Sequence, residues 1–210
     1  MLRYGLTGGI ASGKSAVAAM LREEGFPVIE ADRVAHQVME PGQPAYKEVV
    51  ATFSEKILDS QPAGGDGVAT SINRKRLGAI VFSNREKLAQ LNAIIHPRVE
   101  QELERELAEL EKSGKFAAAF VEAALIFEAG LHKQLDGVAV AWCLPEQQLV
   151  RLMERGLSEE EARKRVALQM PVTDKLDLAT VKIDCSGSLE QTRREVKALA
   201  AKLRQSSRRV

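Results

Sequence analysis

A glycine-rich stretch near the start of the chain has the residue types and spacing of a phosphate-binding loop. Within GLTGGIASGKSAV, residues 5–17, the chain matches the pattern G-x-x-x-x-G-K-[ST]. Glycine lets the backbone turn so that successive N–H groups converge on phosphate oxygens, and the following helix adds its positive N-terminus. Lys14 can neutralise the β- and γ-phosphates of a nucleotide, and Ser15 can offer an oxygen to Mg²⁺. The predicted ATP-binding residues are Gly8, Gly9, Ala11, Ser12, Gly13, Lys14, Ser15 and Ala16.

The order of the glycines distinguishes this loop from a dinucleotide-binding loop. A dinucleotide-binding loop reads G-x-G-x-x-G, whereas this chain reads G-G-x-x-x-G and continues with Lys-Ser. Glu30 lies near the position at which a ribose-binding acid would follow, but the loop itself favours the terminal phosphates of ATP.

An acidic residue follows the second short apolar segment of the chain. FPVIEAD, residues 26–32, is predicted to be a strand that ends in Glu30 and Asp32. In open α/β sheets the carboxyl ends of the strands form the ligand crevice, so we expect Asp32 beside the phosphate loop. There it could accept the proton of an attacking hydroxyl or help to place Mg²⁺. The alternative is that Asp32 only caps the helix that follows.

Glu122 is a second acid in an apolar setting. It falls near the end of the predicted third strand, within KFAAAFVEAALIF, residues 115–127. A buried carboxylate is costly unless it is paired. Glu122 is therefore expected either to reach a magnesium-bound water or to pair with a nearby basic side chain. The first alternative makes Ser15, Asp32 and Glu122 the candidate residues for a metal.

Basic residues late in the chain could neutralise the charge of a transferring phosphoryl group. Arg151 and Arg155 are one helical turn apart and share a face, and a basic run follows at residues 163–165. We predict that Arg151 or Arg155 acts in catalysis together with Lys14 and Asp32. The alternative for the basic run is an ordinary solvated helix surface.

These candidate residues need an α/β framework to bring them together. A strand at residues 2–7, the glycine loop, a helix from Lys14 and the strand before Asp32 form a βαβ pattern, which requires parallel strands. With the later apolar segments, the pattern predicts a P-loop NTPase-type α/β fold, a parallel sheet of about five strands flanked by helices. Residues 33–112 show helical patterns without a convincing buried strand, and this stretch is longer than a connection needs.

The pattern therefore predicts two domains. A nucleotide-binding core is expected to comprise residues 1–32 and 113–210 and to contain a helical lid at about residues 151–172. A helical substrate-binding domain is expected to comprise residues 33–112. Irregular structure is predicted for a loop at residues 59–70 and for a basic tail from residue 204.

Composition narrows the classes of partner. The 30 basic and 29 acidic side chains leave a net charge of +1, which gives no global electrostatic case for nucleic-acid or membrane binding. The longest apolar run is broken by Glu122, and the start of the chain lacks a signal-peptide pattern. Cys143 and Cys185 lie in apolar segments and are expected to be buried thiols of a cytoplasmic protein.

Several segments spread over nearly the whole chain match the motifs of one known family. The opening GLTGGIASGKS is similar to L-T-G-G-I-G-S-G-K-S, and VIEADRVAHQVMEPGQPA is similar to V-I-D-A-D-x-x-A-R-x-V-x-x-P-G-x-P-A. Further matches are NRKRLGAIVFSN, LNAIIHPRV, EAALIFEAGL and RGLSEEEARKRVALQMP. These segments resemble the dephospho-coenzyme A kinase family, and the second motif is far more specific than the phosphate loop.

The resemblance implies roles for residues that the chemistry alone leaves open. It makes Asp32 the counterpart of the family's catalytic base, and it assigns the segments around Arg74 and His96 to the substrate-binding domain. The substrate-binding residues that it implies are Asp32, His36, Arg74, His96 and Arg98.

Several positions depart from the family's pattern. Ala11 replaces a glycine of the loop, and His36 replaces an arginine of the second motif. Further departures are Glu30 and Asn73 in place of Asp, Ala124 in place of Pro, and Thr180 and Cys185 within ATVKIDCSGS. The phosphate loop and Asp32 are intact, so an active enzyme is expected.

The function that the resemblance implies is phosphorylation of the ribose 3′-hydroxyl of dephospho-coenzyme A by ATP, with Mg²⁺, to give coenzyme A and ADP. One alternative is a P-loop kinase of a nucleoside or another small metabolite. Another is a nucleotide-dependent switch, although the base-reading motif N-K-x-D has only a weak counterpart in DKLD, residues 174–177. The sequence does not determine the oligomeric state.

Overall fold

The structure is a computed structural model that describes residues 1–59 and 70–207. Most of the loop predicted at residues 59–70 and the last three residues of the basic tail lie outside this described part.

A parallel five-stranded sheet forms the centre of the fold, in the order β2-β3-β1-β4-β5. Its strands are β1 (Leu2–Gly8), β2 (Val28–Glu30), β3 (Ala118–Glu122), β4 (Gly137–Trp142) and β5 (Val181–Asp184). The α/β class and the parallel sheet predicted from the sequence are confirmed. The first strand of the chain lies in the middle, so the loop that follows it has strands on both sides.

Nine helices are found in the described ranges. They are α1 (Lys14–Glu23), α2 (Ala31–Gln37), α3 (Pro44–Phe53), α4 (Arg74–Phe82), α5 (Arg85–Lys112), α6 (Pro145–Glu154), α7 (Glu159–Ala167), α8 (Val172–Leu178) and α9 (Leu189–Ser207). Short 3₁₀ turns occur at Glu55–Ile57 and Leu131–Gln134. The structure places no helix long and apolar enough to cross a bilayer in the part of the chain that it describes.

The register of the sheet brings its functional ends together. Glu122, the last residue of β3, lies opposite Leu6 of β1 on one side and opposite Glu30 of β2 on the other. Because all these strands are parallel, their carboxyl ends meet at the same edge of the sheet. The phosphate loop therefore leaves the sheet beside Glu122.

The second strand is shorter than predicted, which corrects the expectation for Asp32. β2 ends at Glu30, and Asp32 lies in the first turn of α2 instead of at the end of the strand. The helix begins directly after the strand, and an acidic side chain is favoured in a first helical turn because it faces the positive end of the helix dipole.

One apolar core lies between the sheet, α1 and α9. Leu6, Leu21, Phe120 and Ile183 are fully buried there. The ring of Phe120 packs edge-on against that of Phe26, with centroids 5.9 Å apart. Each such side chain contributes about 1.5–3 kcal/mol by leaving water, which holds the sheet and the helix after the phosphate loop together.

The chain divides into two compact units, Met1–Glu30 with Leu107–Val210, and Ala31–Glu106. The first contains the sheet. The second, which we call the helical unit, contains α2, α3, α4 and most of α5 around buried apolar residues such as Val34, Val49 and Leu77. Among its described residues, β pairing is limited to a single bridge between Leu58 and Ile72. The substrate-binding role predicted for this region stays a prediction.

Candidate active site

The phosphate loop adopts backbone conformations that depend on its small residues. Gly13 has a φ of 104°, and a Cβ added to it would lie 2.8 Å from the Cβ of Cys185, closer than atoms of this kind approach. Ala11 has a φ of 58°, in the left-handed region that glycine favours. This conformation explains why the related family motif has a glycine at this position.

Side chains from outside the loop hold its middle residues. The carbonyl oxygen of Ile10 accepts a hydrogen bond from Gln148 Nε2 at 2.8 Å, and the N–H of Ile10 donates to Gln169 Oε1 at 2.7 Å. The carbonyl oxygen of Ala11 accepts a bond from Arg151 Nη1 at 3.1 Å. These contacts fix the loop backbone before the start of α1, whose first N–H groups have no acceptor within the helix.

Gln148 and Gln169 are functional candidates that the sequence reasoning missed. Gln148 is buried on α6, three residues before Arg151 and therefore on the same helix face. A buried polar side chain needs a partner, and here the partner is the phosphate loop. In the sequence, the three-residue spacing between Gln148 and Arg151 could have indicated that Gln148 faces the loop. Gln169 has no comparable signal.

Lys14 and Glu122 form an ion pair at the end of the sheet. Lys14 Nζ lies 2.5 Å from Glu122 Oε1, and the two side chains are 18% and 9% exposed. Pairing with a basic residue was one of the two alternatives for Glu122, and the structure shows that pairing. A metal-side role for the same carboxylate stays a prediction.

The oxygen atoms beside Lys14 fit a magnesium ion. Ser15 is an exposed residue in the first turn of α1, and Glu122 lies at the end of β3. Within residues 1–59 and 70–207, three or more His, Cys, Asp or Glu side chains do not gather into a metal cage. Mg²⁺ in kinase sites is instead held by one or two protein oxygens and by substrate phosphates. Ser15 and Glu122 fit that pattern.

Two arginines that the sequence leaves equivalent differ in their surroundings. Arg151 lies in α6 and donates both to Ala11 and, through Nη2 at 2.8 Å, to the carbonyl oxygen of Cys185. Arg155 is exposed and directly follows the last residue of α6. Arg151 therefore spans the phosphate loop and the end of β5, whereas Arg155 lies at the surface.

The basic run at residues 163–165 belongs to a solvated helix surface. Arg163 pairs with Glu159 at 2.6 Å and Lys164 with Glu160 at 2.6 Å, each one turn earlier in α7. All four side chains are more than half exposed. Exposed pairs of this kind stabilise a helix only slightly. The geometry therefore favours the alternative that this run is an ordinary solvated helix surface.

In the helical unit, two of the predicted substrate-binding residues line one cavity of about 310 Å³. Its lining residues are His36, Met39, Glu40, Pro41, Ser71, Ile72 and Arg74. Burial lowers the pKa of His36, the positive charge of Arg74 lowers it further, and the carboxylate of Asp32 acts in the opposite direction. Asp32 and Arg74 thus act on the same imidazole, and the lowered pKa favours its neutral form.

The structure does not bring His96 and Arg98 into that cavity among the residues that it describes. His96 is exposed on α5, and Arg98 pairs with Glu48 at 2.5 Å and donates to the carbonyl oxygen of Ile94. Substrate-side roles for both residues stay predictions.

Two departures from the family pattern have a local structural role. Asn73 caps α4 by accepting a hydrogen bond from the N–H of Arg76 at 3.0 Å, a task that Asp and Asn perform equally. The hydroxyl oxygen of Thr180 accepts a bond from the N–H of Val138 at 3.1 Å, just before β5 begins. Cys185 and Cys143 are both buried free thiols, as predicted.

Comparison with known proteins gives one consistent result. The family model for dephospho-CoA kinase matches residues 2–191. Dephospho-CoA kinases from Carboxydothermus hydrogenoformans and Geobacillus kaustophilus are each 45% identical over 199 residues, which is 94% of this chain and 92% and 94% of theirs.

Solved structures agree. A dephospho-CoA kinase from Campylobacter jejuni superposes with a TM-score of 0.73 at 30% identity, covering 97% of this chain and 98% of that one. A Thermus thermophilus crystal structure gives 0.79 at 35% identity, covering 96% and 97%. The chain therefore belongs to the dephospho-CoA kinase family, the P-loop kinases of the last step of coenzyme A synthesis.

Proposed function

We propose that this chain transfers the γ-phosphoryl group of ATP to the ribose 3′-hydroxyl of dephospho-coenzyme A, giving coenzyme A and ADP. The observation that carries the proposal is the position of Lys14, which starts α1 directly after a held phosphate loop and faces the carboxylate of Glu122. An ammonium group, the N-terminal N–H groups of a helix and a neighbouring carboxylate are the parts that nucleotide phosphates and Mg²⁺ require.

The phosphate loop binds and orients the nucleotide. The N–H groups at the start of α1 donate to phosphate oxygens, and Lys14 balances the charge of the β- and γ-phosphates. Ser15 and Glu122 would hold Mg²⁺ together with the nucleotide phosphates, and the ion would supply charge neutralisation when bound. Arg151 supports this arrangement through its contact with Ala11. Of the two arginines predicted from the sequence, we assign to Arg151 the neutralisation of the transferring phosphoryl group.

Asp32 is the residue that we assign to the acceptor hydroxyl. Its exposed carboxylate can accept the proton as the ribose oxygen attacks phosphorus in line with the departing ADP. We assign His36 and Arg74 to the acceptor because they line one cavity of the helical unit, where a neutral imidazole and a guanidinium can donate to anionic oxygens. His96 and Arg98 complete the proposed acceptor-side set.

The decisive experiment is ADP release from ATP and Mg²⁺ with and without dephospho-coenzyme A. Acceptor-dependent release, with mass-spectrometric detection of coenzyme A, is the expected result. A panel of nucleosides and small alcohols tests the alternative that the chain is another P-loop kinase. ADP release that ignores every acceptor would instead favour a nucleotide-dependent switch. Two buried free thiols support a reducing compartment such as the cytoplasm.

A further inference from the structure

A lysine that the proposed chemistry does not use lies fully buried in the sheet-containing unit. Lys175 is in α8, and its side chain is 0% exposed. A buried ammonium group is costly unless charged and polar partners replace its hydration. The contacts of Lys175 therefore indicate the role of this side chain.

Its partners lie in the segment that follows β3. Lys175 Nζ is 2.9 Å from Glu128 Oε1 and donates to the carbonyl oxygen of Ala124 at 2.8 Å. Burial acts to raise the pKa of Glu128, but hydrogen bonds from Lys175 and from the N–H groups of Glu128 and Met170 outweigh it and hold that pKa below its usual value. The lowered pKa favours the carboxylate form of Glu128, and the 2.9 Å contact with Lys175 has the geometry of an ion pair.

The carbonyl oxygen of Ala124 is a junction between three elements. It also accepts a hydrogen bond from Thr7 Oγ1 of β1 at 3.1 Å, and the N–H of Ala123 donates to the carbonyl oxygen of Leu6 at 3.1 Å. These bonds act on the two residues directly after Glu122. The direction in which the chain leaves Glu122 is therefore set by β1 on one side and by Lys175 on the other.

The segment at residues 169–175 contacts both sides of the nucleotide site. Gln169 accepts a hydrogen bond from the phosphate loop at Ile10, and Met170 donates to Glu128 at 3.1 Å. Lys175 then reaches Ala124 and Glu128 from the next helix. One short stretch thus connects the loop that contains Lys14 with the backbone that orients Glu122.

We propose that Lys175 is a positioning residue for phosphoryl transfer, which holds the backbone after β3 so that the carboxylate of Glu122 stays against Lys14. This inference rests on the proposed function only for its kinetic readout. Its structural content is that the Lys175–Ala124 and Lys175–Glu128 contacts set the position of Glu122, and with it the binding of magnesium nucleotide.

The test compares Lys175→Met with Lys175→Arg and with a control in the same unit. Lys175→Met keeps the aliphatic stem and removes the charge, whereas Lys175→Arg keeps a cation that can still donate. Val196→Ala is the control, because Val196 is buried in α9 and belongs to the apolar core between the sheet, α1 and α9. For each variant, kcat, KM for ATP, thermal stability and calorimetric affinity for ATP with and without Mg²⁺ are measured.

We expect Lys175→Met to lower kcat at least about tenfold and to weaken ATP binding with Mg²⁺ more than without it. Lys175→Arg should restore most of both quantities. Val196→Ala should lose stability while its kcat and its magnesium effect stay within about twofold of the parent. If Lys175→Met changes stability alone, as the control does, the lysine is only structural and the proposal is wrong.

A second variant covers the case in which Lys175→Met does not fold. Thr7→Val removes the other donor to the Ala124 carbonyl without removing a buried charge. It should weaken the magnesium-dependent binding of ATP in the same direction, and an unchanged magnesium effect would overturn the proposal. The calorimetric readout needs no acceptor, so failure here is distinct from failure of the proposed acceptor, which acceptor-dependent ADP release tests in the parent protein.

Discussion

The guanidinium group of Arg151 donates to the carbonyl oxygen of Ala11 across 3.1 Å. Ala11 has a left-handed backbone, which costs an alanine about 1–2 kcal/mol relative to the right-handed conformation. The strained residue of the phosphate loop is therefore held from α6, and the hydrogen bond from a charged donor offsets that cost.

We expect Arg151→Lys to lower kcat/KM for ATP at least about tenfold, because lysine cannot donate to Ala11 and Cys185 with two nitrogens of one planar group. Arg155→Lys is the matched control at the exposed end of α6, and it should stay within about twofold. Steady-state kinetics of both variants check this. Equal losses at the two positions would show that the contact with the loop is not the relevant difference.

We expect Asp32→Asn to lower kcat by about 10²–10⁴, since a general base of this kind contributes that much, while KM for ATP changes little. The control is Glu30→Gln, two residues earlier, where the carboxylate pairs with Arg22 at 2.6 Å on the surface. The control should keep kcat within about threefold. An Asp32→Asn variant with near-parental kcat would remove Asp32 from the role of base.

The imidazole of His36 should titrate below its ordinary pKa of 6.5, because burial and the charge of Arg74 both oppose its protonation. We expect Arg74→Ala to raise the pKa of His36 and Asp32→Asn to lower it further, since the carboxylate acts in the opposite direction. The chain has 3 histidines, so NMR titration of the imidazole signals can resolve this one. A pKa that does not respond to Arg74→Ala would contradict the arrangement in the cavity.

The same shift has a consequence for stability. With the folded pKa of His36 below the unfolded value, the unfolded chain binds more protons between the two values. The contribution of His36 to the free energy of unfolding is therefore complete above about pH 6.5 and falls as the pH decreases through that value. His36→Gln should flatten this part of the dependence of the free energy of unfolding on pH. Urea unfolding at pH values from about 5 to about 8, on both sides of the ordinary histidine pKa, measures it.

Removing the charges of the run in α7 should change little. In the double variant Arg163→Gln and Lys164→Gln, we expect kcat and KM for ATP within about twofold of the parent, because both side chains pair with glutamates on an exposed helix face. A tenfold fall in kcat would instead show that the run closes over the nucleotide. The lost pairs should lower the melting temperature only slightly.

The sheet and the phosphate loop could be predicted because their signals are local. The glycine spacing, a strand before it and an amphipathic helix after it all lie within residues 2–23, and the structure has β1 and α1 there. The helical pattern predicted for residues 33–112 likewise contains α5, which ends shortly before Gly114 with its φ of 64°. The predicted end of β2 lay two residues too late, because the sequence pattern does not show that α2 starts without a connecting loop.

The contacts that hold the site could not be predicted because they join residues far apart in the chain. Gln169 contacts Ile10, and Lys175 contacts Ala124. The residues of each pair are too far apart in the sequence for a local hydrophobic pattern to indicate the contact. Lys175 lies in VTDKLDL, residues 172–178, which looks like an exposed polar helix. Only the fold shows that its charge is inside.

The contact of Gly13 with Cys185 places unequal limits on how the two positions can vary in related sequences. The atom that faces Gly13 most closely is the Cβ of Cys185, which every residue except glycine possesses. A change of side chain at 185 to any residue other than glycine leaves that atom in place. At position 13 every replacement adds a Cβ atom where there is no room for one. Sequences can therefore drift at the end of β5 without any compensating change in the loop, and the two positions are not expected to covary.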